Sequence, residues 1–190
     1  MSKVYFLDIQ LMGIKPKIWR RFMVPSTIRL SRLHEVIQIV MGWGDCHLYS
    51  FIIDYQEYTR HPEDYDDGLE SSRYSLGGLI KQKGRTFEYV YDFGDSWRHK
   101  LKVLGIDDWH SAFGNPFDCL SGERACPPED VGGVPGYYEF CEAMKNPNHD
   151  QHDMLMEWYG GAFDSEAFDV REVKRALSKF NTRSRKKSKL

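Results

Sequence analysis

The sequence predicts an α+β fold: a mostly antiparallel sheet, with a β-hairpin–helix–strand (β-grasp-like) N-terminal half and a helical C-terminal part. Three observations predict it. Apolar and polar residues alternate at the period of a half-buried strand, first at Tyr5, Leu7, Ile9 and Leu11 and again across residues 87–103. Between these, Leu30, Leu33, Val36, Ile37, Val40 and Met41 recur at helical spacing. Beyond residue 133 the alternation gives way to helical stripes punctuated by Gly and Pro.

In chain order, residues 4–11 form the first strand, Gly13 and Pro16 mark a turn, and residues 18–24 form the second strand, closed by Pro25. Trp19, Arg20 and Arg21 on this strand read as an aromatic with flanking solvated charges, or as a basic edge for an anionic ligand. A helix follows over residues 31–41, with Ser31 placed to cap its start and Gly42 and Gly44 to stop it. A third strand spans residues 46–54, with His47, Tyr49, Phe51 and Ile53 on one face. Residues 54–70 are acidic and loop-like. Counting back from Gly68 puts Tyr65 where an EF-hand needs an oxygen ligand, which excludes that calcium loop. Residues 76–80 make a short helical turn.

The central hairpin has Phe87, Tyr89, Tyr91 and Phe93 on one face of its first strand. Trp97, His99, Leu101 and Val103 share a face of the second, with Arg98, Lys100 and Lys102 opposite. Asp92 and Asp95 flank Gly94 in the turn. They read equally as an Asx-type lock on the backbone or as ligands for a bound group, with His99 on the apolar face beside them. Asp92-Phe93-Gly94 matches a protein-kinase triplet, but the glycine-rich loop and the catalytic loop of that fold are missing. A second unusual stretch, residues 119–133, lacks periodicity and is rich in Gly and Pro, as functional loops are. Cys119 and Cys126 do not have the spacing of a zinc half-site. Helical stripes follow at Tyr137, Phe140, Cys141 and Met144, at Leu155 and Trp158, and at Val173, Leu177 and Phe180, the last opened by an Asp169–Glu172 capping box.

With 41% hydrophobic and 14% aromatic residues, the chain of 190 can bury one core, and it reads as a single domain over residues 1–180 with a basic, disordered tail at 181–190. There is no membrane-spanning run, and Asp8 interrupts the N-terminus too early for a signal peptide. A cytoplasmic protein with thiols rather than disulfides is expected. The tail carries Arg183, Arg185, Lys186, Lys187 and Lys189 and no acid, while residues 1–180 hold 21 basic against 28 acidic side chains. Such a body argues against nucleic-acid binding over its whole surface and leaves DNA or RNA contact to the tail.

Several ordered motifs carry a resemblance. They are Gly13-Ile14-Lys15-Pro16 with Ile18-Trp19-Arg20-Arg21, Leu33-His34 through Met41-Gly42-Trp43, and His47-Leu48. They continue with Tyr91-Asp92-Phe93-Gly94-Asp95-Ser96-Trp97 and His99, Cys119 with Gly122, Ala125-Cys126-Pro127-Pro128-Glu129-Asp130, Gly132-Gly133 and Gly136-Tyr137. With these the chain resembles the plasmid pRi ORF-three-like family, which includes passenger proteins of transposable elements, over nearly its whole length to about Leu177. The resemblance implies an α+β domain and assigns no reaction. Many members carry a further Cys where this chain has Val131, which weakens any metal–cysteine site here.

Two functions from different classes follow. The first is a non-catalytic ligand- or nucleic-acid-binding accessory domain. Its acidic and aromatic pocket lies where the 92–99 turn meets the 126–130 loop, built from Asp92, Asp95, Trp97, His99, Cys126, Glu129 and Asp130. The alternative is a metal-dependent hydrolase in which Asp92, Asp95, Glu129 or Asp130 hold a divalent metal and His99 is base or ligand. A third possibility is that both stretches only lock the backbone, since clustered buried acids need partners.

Overall fold

One twisted sheet of eight strands carries the molecule, in the order β5-β4-β3-β6-β7-β1-β2-β8. The computed structural model describes residues 2–64, 68–110 and 114–187. The strands are β1 (Ser2–Leu11), β2 (Trp19–Pro25), β3 (Tyr49–Ile53), β4 (Gln56–Thr59), β5 (Leu69–Glu70), β6 (Thr86–Tyr91), β7 (Trp97–Trp109) and β8 (Asp118–Glu123). Neighbours are antiparallel except β4 and β5. The helices are α1 (Leu30–Met41), α2 (Leu76–Leu79), α3 (Gly133–Lys145), α4 (His152–Tyr159) and α5 (Val170–Lys187). The fold is α+β with a mostly antiparallel sheet.

The alternation of β1, β6 and β7 has a direct physical consequence. Leu7, Ile9, Leu11, Phe87, Tyr89, Tyr91, Trp97, Leu101 and Val103 all point to one face, where they are buried. Helix α1 lies over them and buries Leu30, Leu33, Val36, Ile37 and Val40. The opposite face is open, and its cross-strand neighbours carry four basic side chains against two acids. Lys102 stands opposite Asp8, Lys100 opposite Glu88, Arg21 pairs with Asp8 at 3.3 Å, and Arg98 with Glu88 at 2.5 Å.

Several expectations change. The hairpin, helix and third strand occur in order, but β6 and β7 separate β3 from the β1–β2 hairpin, so the three do not form one contiguous grasp. Ser31 does not cap α1; Arg29 holds that position with no side-chain cap bond. The third strand starts at Tyr49, leaving residues 46–48 in a loop. The acidic 54–70 stretch contributes β4 and β5, and the 119–133 stretch begins as the edge strand β8. The backbone of α5 continues to Lys187, past the residue-180 boundary at which the sequence suggests fraying.

Arg20 is the largest departure. It is fully buried, not solvated: Nε donates to Val40 O at 2.8 Å, Nη1 to Trp19 O and Glu123 O, and Nη2 to Arg124 O at 2.7 Å. Its guanidinium also stacks 4.1 Å from the Phe168 ring centroid. Four of its five N–H donors face carbonyls, which is how a buried charge becomes tolerable. The basic-edge reading of Trp19-Arg20-Arg21 therefore loses its central residue.

Candidate metal centre

The end of β6 and the start of β3 are neighbours, so the loops leaving them meet. Asp92 N donates to Leu48 O at 2.9 Å, which sets the β6–β7 turn beside the α1–β3 loop of residues 42–48. The segment after β8 closes the third side, with Trp43 Nε1 donating to Pro127 O at 3.0 Å. His47 stands at this junction. Its Nε2 lies 3.0 Å from Asp130 Oδ1, 3.6 Å from Asp92 Oδ2 and 3.9 Å from Glu129 Oε2. His47, Asp92 and Asp130 each bring one ligand atom to within 4.8 Å of the others.

Each carboxylate splits its two oxygens between structure and site. Asp92 Oδ1 accepts from Gly94 N at 3.0 Å and Asp95 N at 3.3 Å, an Asx-type lock, and Oδ2 faces His47. Glu129 Oε1 accepts from Gly44 N at 2.8 Å and from the Tyr91 hydroxyl at 3.1 Å. Its Oε2 turns toward His47, and both Oε2 and His47 Nε2 are sealed from water without a hydrogen-bond partner. Asp130 is the open member, with a side chain 70% exposed and a left-handed φ of 57°. Sequestered donor atoms from an imidazole and carboxylates, with one side open, fit a divalent cation that keeps exchangeable positions.

The loop carrying His47 is held by three successive backbone N–H groups. Gly44 N donates to Glu129, Asp45 N to Gln38 Oε1 at 2.8 Å, and Cys46 N to the Tyr91 hydroxyl at 3.0 Å. Asp45 is fixed again from below by His34 Nε2 at 2.7 Å. Gln38 Nε2 donates to the Tyr89 hydroxyl at 3.0 Å, so that hydroxyl gives its own proton to His34 Nδ1 at 2.7 Å. This assigns the His34 proton to Nε2, facing Asp45. Burial pushes the pKa of His34 down to about 4, against the opposing pull of Asp45, so the ring is neutral near pH 7.

Of the residues singled out in the sequence, Asp92, Glu129 and Asp130 come together. Asp95 does not join them; its Oδ2 accepts from Gly132 N at 3.1 Å and ties the turn to the start of α3. The approach there is so close that a Cβ on Gly133, at φ +66°, would sit 2.8 Å from Asp95 O. Trp97 is completely buried. His99 is equally buried, with Nδ1 3.2 Å from Tyr89 O and its ring edge-on to Trp43. Burial pushes its pKa down to about 3, and the same complete burial removes it as a base or ligand at the surface. Cys126 packs against the core, and burial pushes its thiol above the usual range, so it offers no ready thiolate. The side chains of Arg183, Arg185, Lys186, Lys187 and Lys189 lie outside the described residues.

His47 is the residue that sequence reasoning missed. Alternation with Tyr49 and Phe51 placed it on a strand face, whereas it stands in the loop before β3. Its sequence signals are its position just after the Gly42–Gly44 stop of α1 and its place in the His47-Leu48 motif of the family resemblance.

The sequence model of the family described as plasmid pRiA4b ORF-3-like protein matches residues 3–172. The chain belongs to the plasmid pRiA4b ORF-3-like family. A relative in this family range, the uncharacterized protein y4hQ of Sinorhizobium fredii (strain NBRC 101917 / NGR234), is 40% identical over 181 residues, covering 93% of this chain and 92% of that one. The crystal structure of MM3350, a protein of unknown function from Methanosarcina mazei Go1, superposes with a TM-score of 0.81 at 32% identity, covering 90% of this chain and 98% of that one. All four residues of the His47 cluster fall inside the family match, and the tail beyond residue 180 falls outside it. Among the described residues no helix is long and apolar enough to cross a membrane, and all four cysteines are free thiols.

Proposed function

We propose that this chain is a metal-binding accessory protein that holds a divalent cation at His47, Asp92, Glu129 and Asp130 and presents its open side to a ligand. One observation carries the reading: Nε2 of His47 converges with oxygens of Asp92, Asp130 and Glu129 from three separate segments, at 3.0 to 3.9 Å. One imidazole among carboxylates suits a first-row divalent ion such as Mn²⁺ or Fe²⁺ better than an all-oxygen calcium cage. The plasmid in the family's name supports an accessory role on mobile elements.

A hydrolase is the second reading, favoured by the exposure of Asp130. A cation with an open position lowers the pKa of a bound water, and an adjacent carboxylate accepts its proton. The base is then Asp130 or Glu129, since His99 is shut inside the core.

Calorimetric titration of the full chain with Mn²⁺ tests the metal. One site per chain is expected, with His47→Ala, Asp92→Asn and Asp130→Asn each weakening it at least about tenfold. A wild-type protein that takes up none of Mn²⁺, Mg²⁺ or Zn²⁺ while remaining folded ends the proposal.

A further inference from the structure

Asp130 belongs to two features at once. It lies beside His47 in the candidate metal cluster, and with Val131 it lines a groove between α3 and α4. Phe140, Leu155, Met154 and Trp158 give that groove its apolar lining, and Glu139 and Gln151 also line it. Helix α4 has no fully buried residue; Met154 is 57% and Trp158 47% exposed. An apolar groove lined in part by a metal-facing carboxylate has the composition of a ligand subsite, mostly apolar with a few polar groups.

Size and charge narrow the occupant. The groove has a volume of about 230 Å³. That is below the roughly 300–1,000 Å³ of a cavity enclosing a whole small ligand. It accommodates one ring or branched chain, with the remainder of the ligand reaching over Asp130 toward the cation. Asp92, Glu129 and Asp130 outweigh a divalent cation by one negative charge, and Glu139 adds another in the groove lining. A phosphate or carboxylate approaching this end meets net repulsion, while an amine or a neutral carbonyl does not.

We infer that the ligand of the site is a small amine or amide bearing an apolar, ring-sized group. Its ring lodges between α3 and α4, and its amine and carbonyl lie over the carboxylates and the metal. The inference rests on the metal reading above. The test uses the Mn²⁺-loaded full chain, titrated calorimetrically with phenylalaninamide, glycinamide and phenyl phosphate.

Phenylalaninamide is expected to bind at least about tenfold more tightly than glycinamide, because only the former fills the groove. Phenyl phosphate, with the ring but the wrong charge, is expected to bind more weakly than phenylalaninamide. Met154→Ala and Trp158→Ala sit on the exposed side of α4, and each should remove most of the ring preference without changing Mn²⁺ affinity. Equal binding of the two amides, a ring preference that survives both substitutions, or phenyl phosphate as the tightest ligand overturns the inference. Mn²⁺ affinity is measured first on the same samples. A wild-type chain that takes up Mn²⁺ but shows no ring preference sinks this inference alone; one that takes up no Mn²⁺ sinks this inference, and one that takes up none of Mn²⁺, Mg²⁺ or Zn²⁺ sinks it together with the metal reading.

Discussion

Arg20, His34 and His99 are polar residues that the core has fully enclosed, and the arginine survives there for a different reason from the histidines. Arg20 keeps its charge because carbonyls of Trp19, Val40, Glu123 and Arg124 receive its donors. Replacing it with Ala leaves those carbonyls unpaired and opens a void, so Arg20→Ala should cost on the order of 3–5 kcal/mol in chemical denaturation. Arg20→Lys should recover only part of that, because an ammonium cannot reproduce the fork. The two histidines are tolerated because they are neutral. Their folded pKa values, about 4 for His34 and about 3 for His99, lie below the ordinary value of 6.5. Unfolded chains therefore bind more protons over that interval, and stability falls as pH drops from 6.5 toward 3–4. Each histidine contributes a slope of at most about tenfold in the folding equilibrium per pH unit. Denaturation midpoints measured from pH 7.5 to 4 in wild type and His99→Gln check the sign: the variant should show a shallower decline.

At the scale of elements, the α1–β3 loop matters more than any strand. Gln38 on α1 and Tyr91 on β6 grip its backbone at Asp45 and Cys46, and neither touches the proposed cation position directly. Tyr91 also donates to Glu129, so a single hydroxyl joins the loop to one carboxylate of the cluster. Gln38→Ala and Tyr91→Phe should each weaken Mn²⁺ binding about 10- to 100-fold while the circular dichroism spectrum is retained. Unchanged affinity in both would show that His47 does not need this support. The turn of Asp92–Asp95 has the parallel role on the other side. Gly133→Ala forces a Cβ against Asp95 O and should displace that turn, lowering Mn²⁺ affinity and thermal stability together.

For the molecule as a whole, the cluster joins segments that are far apart in sequence: His47 precedes β3, Asp92 follows β6, and Glu129 and Asp130 follow β8. A cation bridging them binds the folded chain and not the unfolded one. Mn²⁺ at a hundredfold its dissociation constant should therefore stabilise the fold by about 2.7 kcal/mol, seen as a raised Tm that is absent in His47→Ala. The open sheet face makes a contrast. Its ion pairs, Arg98 with Glu88 and Arg21 with Asp8, use up both acids of these cross-strand neighbours and leave Lys100 and Lys102 as a basic surplus on the described face.

The sequence by itself determined five of the eight strands and the main helices, because strand alternation and helical spacing are local and each burial face is written within a few consecutive residues. That is why the inward side of β7, with Trp97, His99, Leu101 and Val103, was legible without coordinates. It also marked Asp92, Glu129 and Asp130 as acids in unusual turns. Only the tertiary structure decided how they are used. Pairing of β3 with β6 set His47 beside Asp92, packing of Pro127 on Trp43 brought in Glu129 and Asp130, and burial withdrew Trp97 and His99 from solvent. Those outcomes depend on which distant segments become neighbours and on how much water remains between them, and neither is a property of any local stretch of chain.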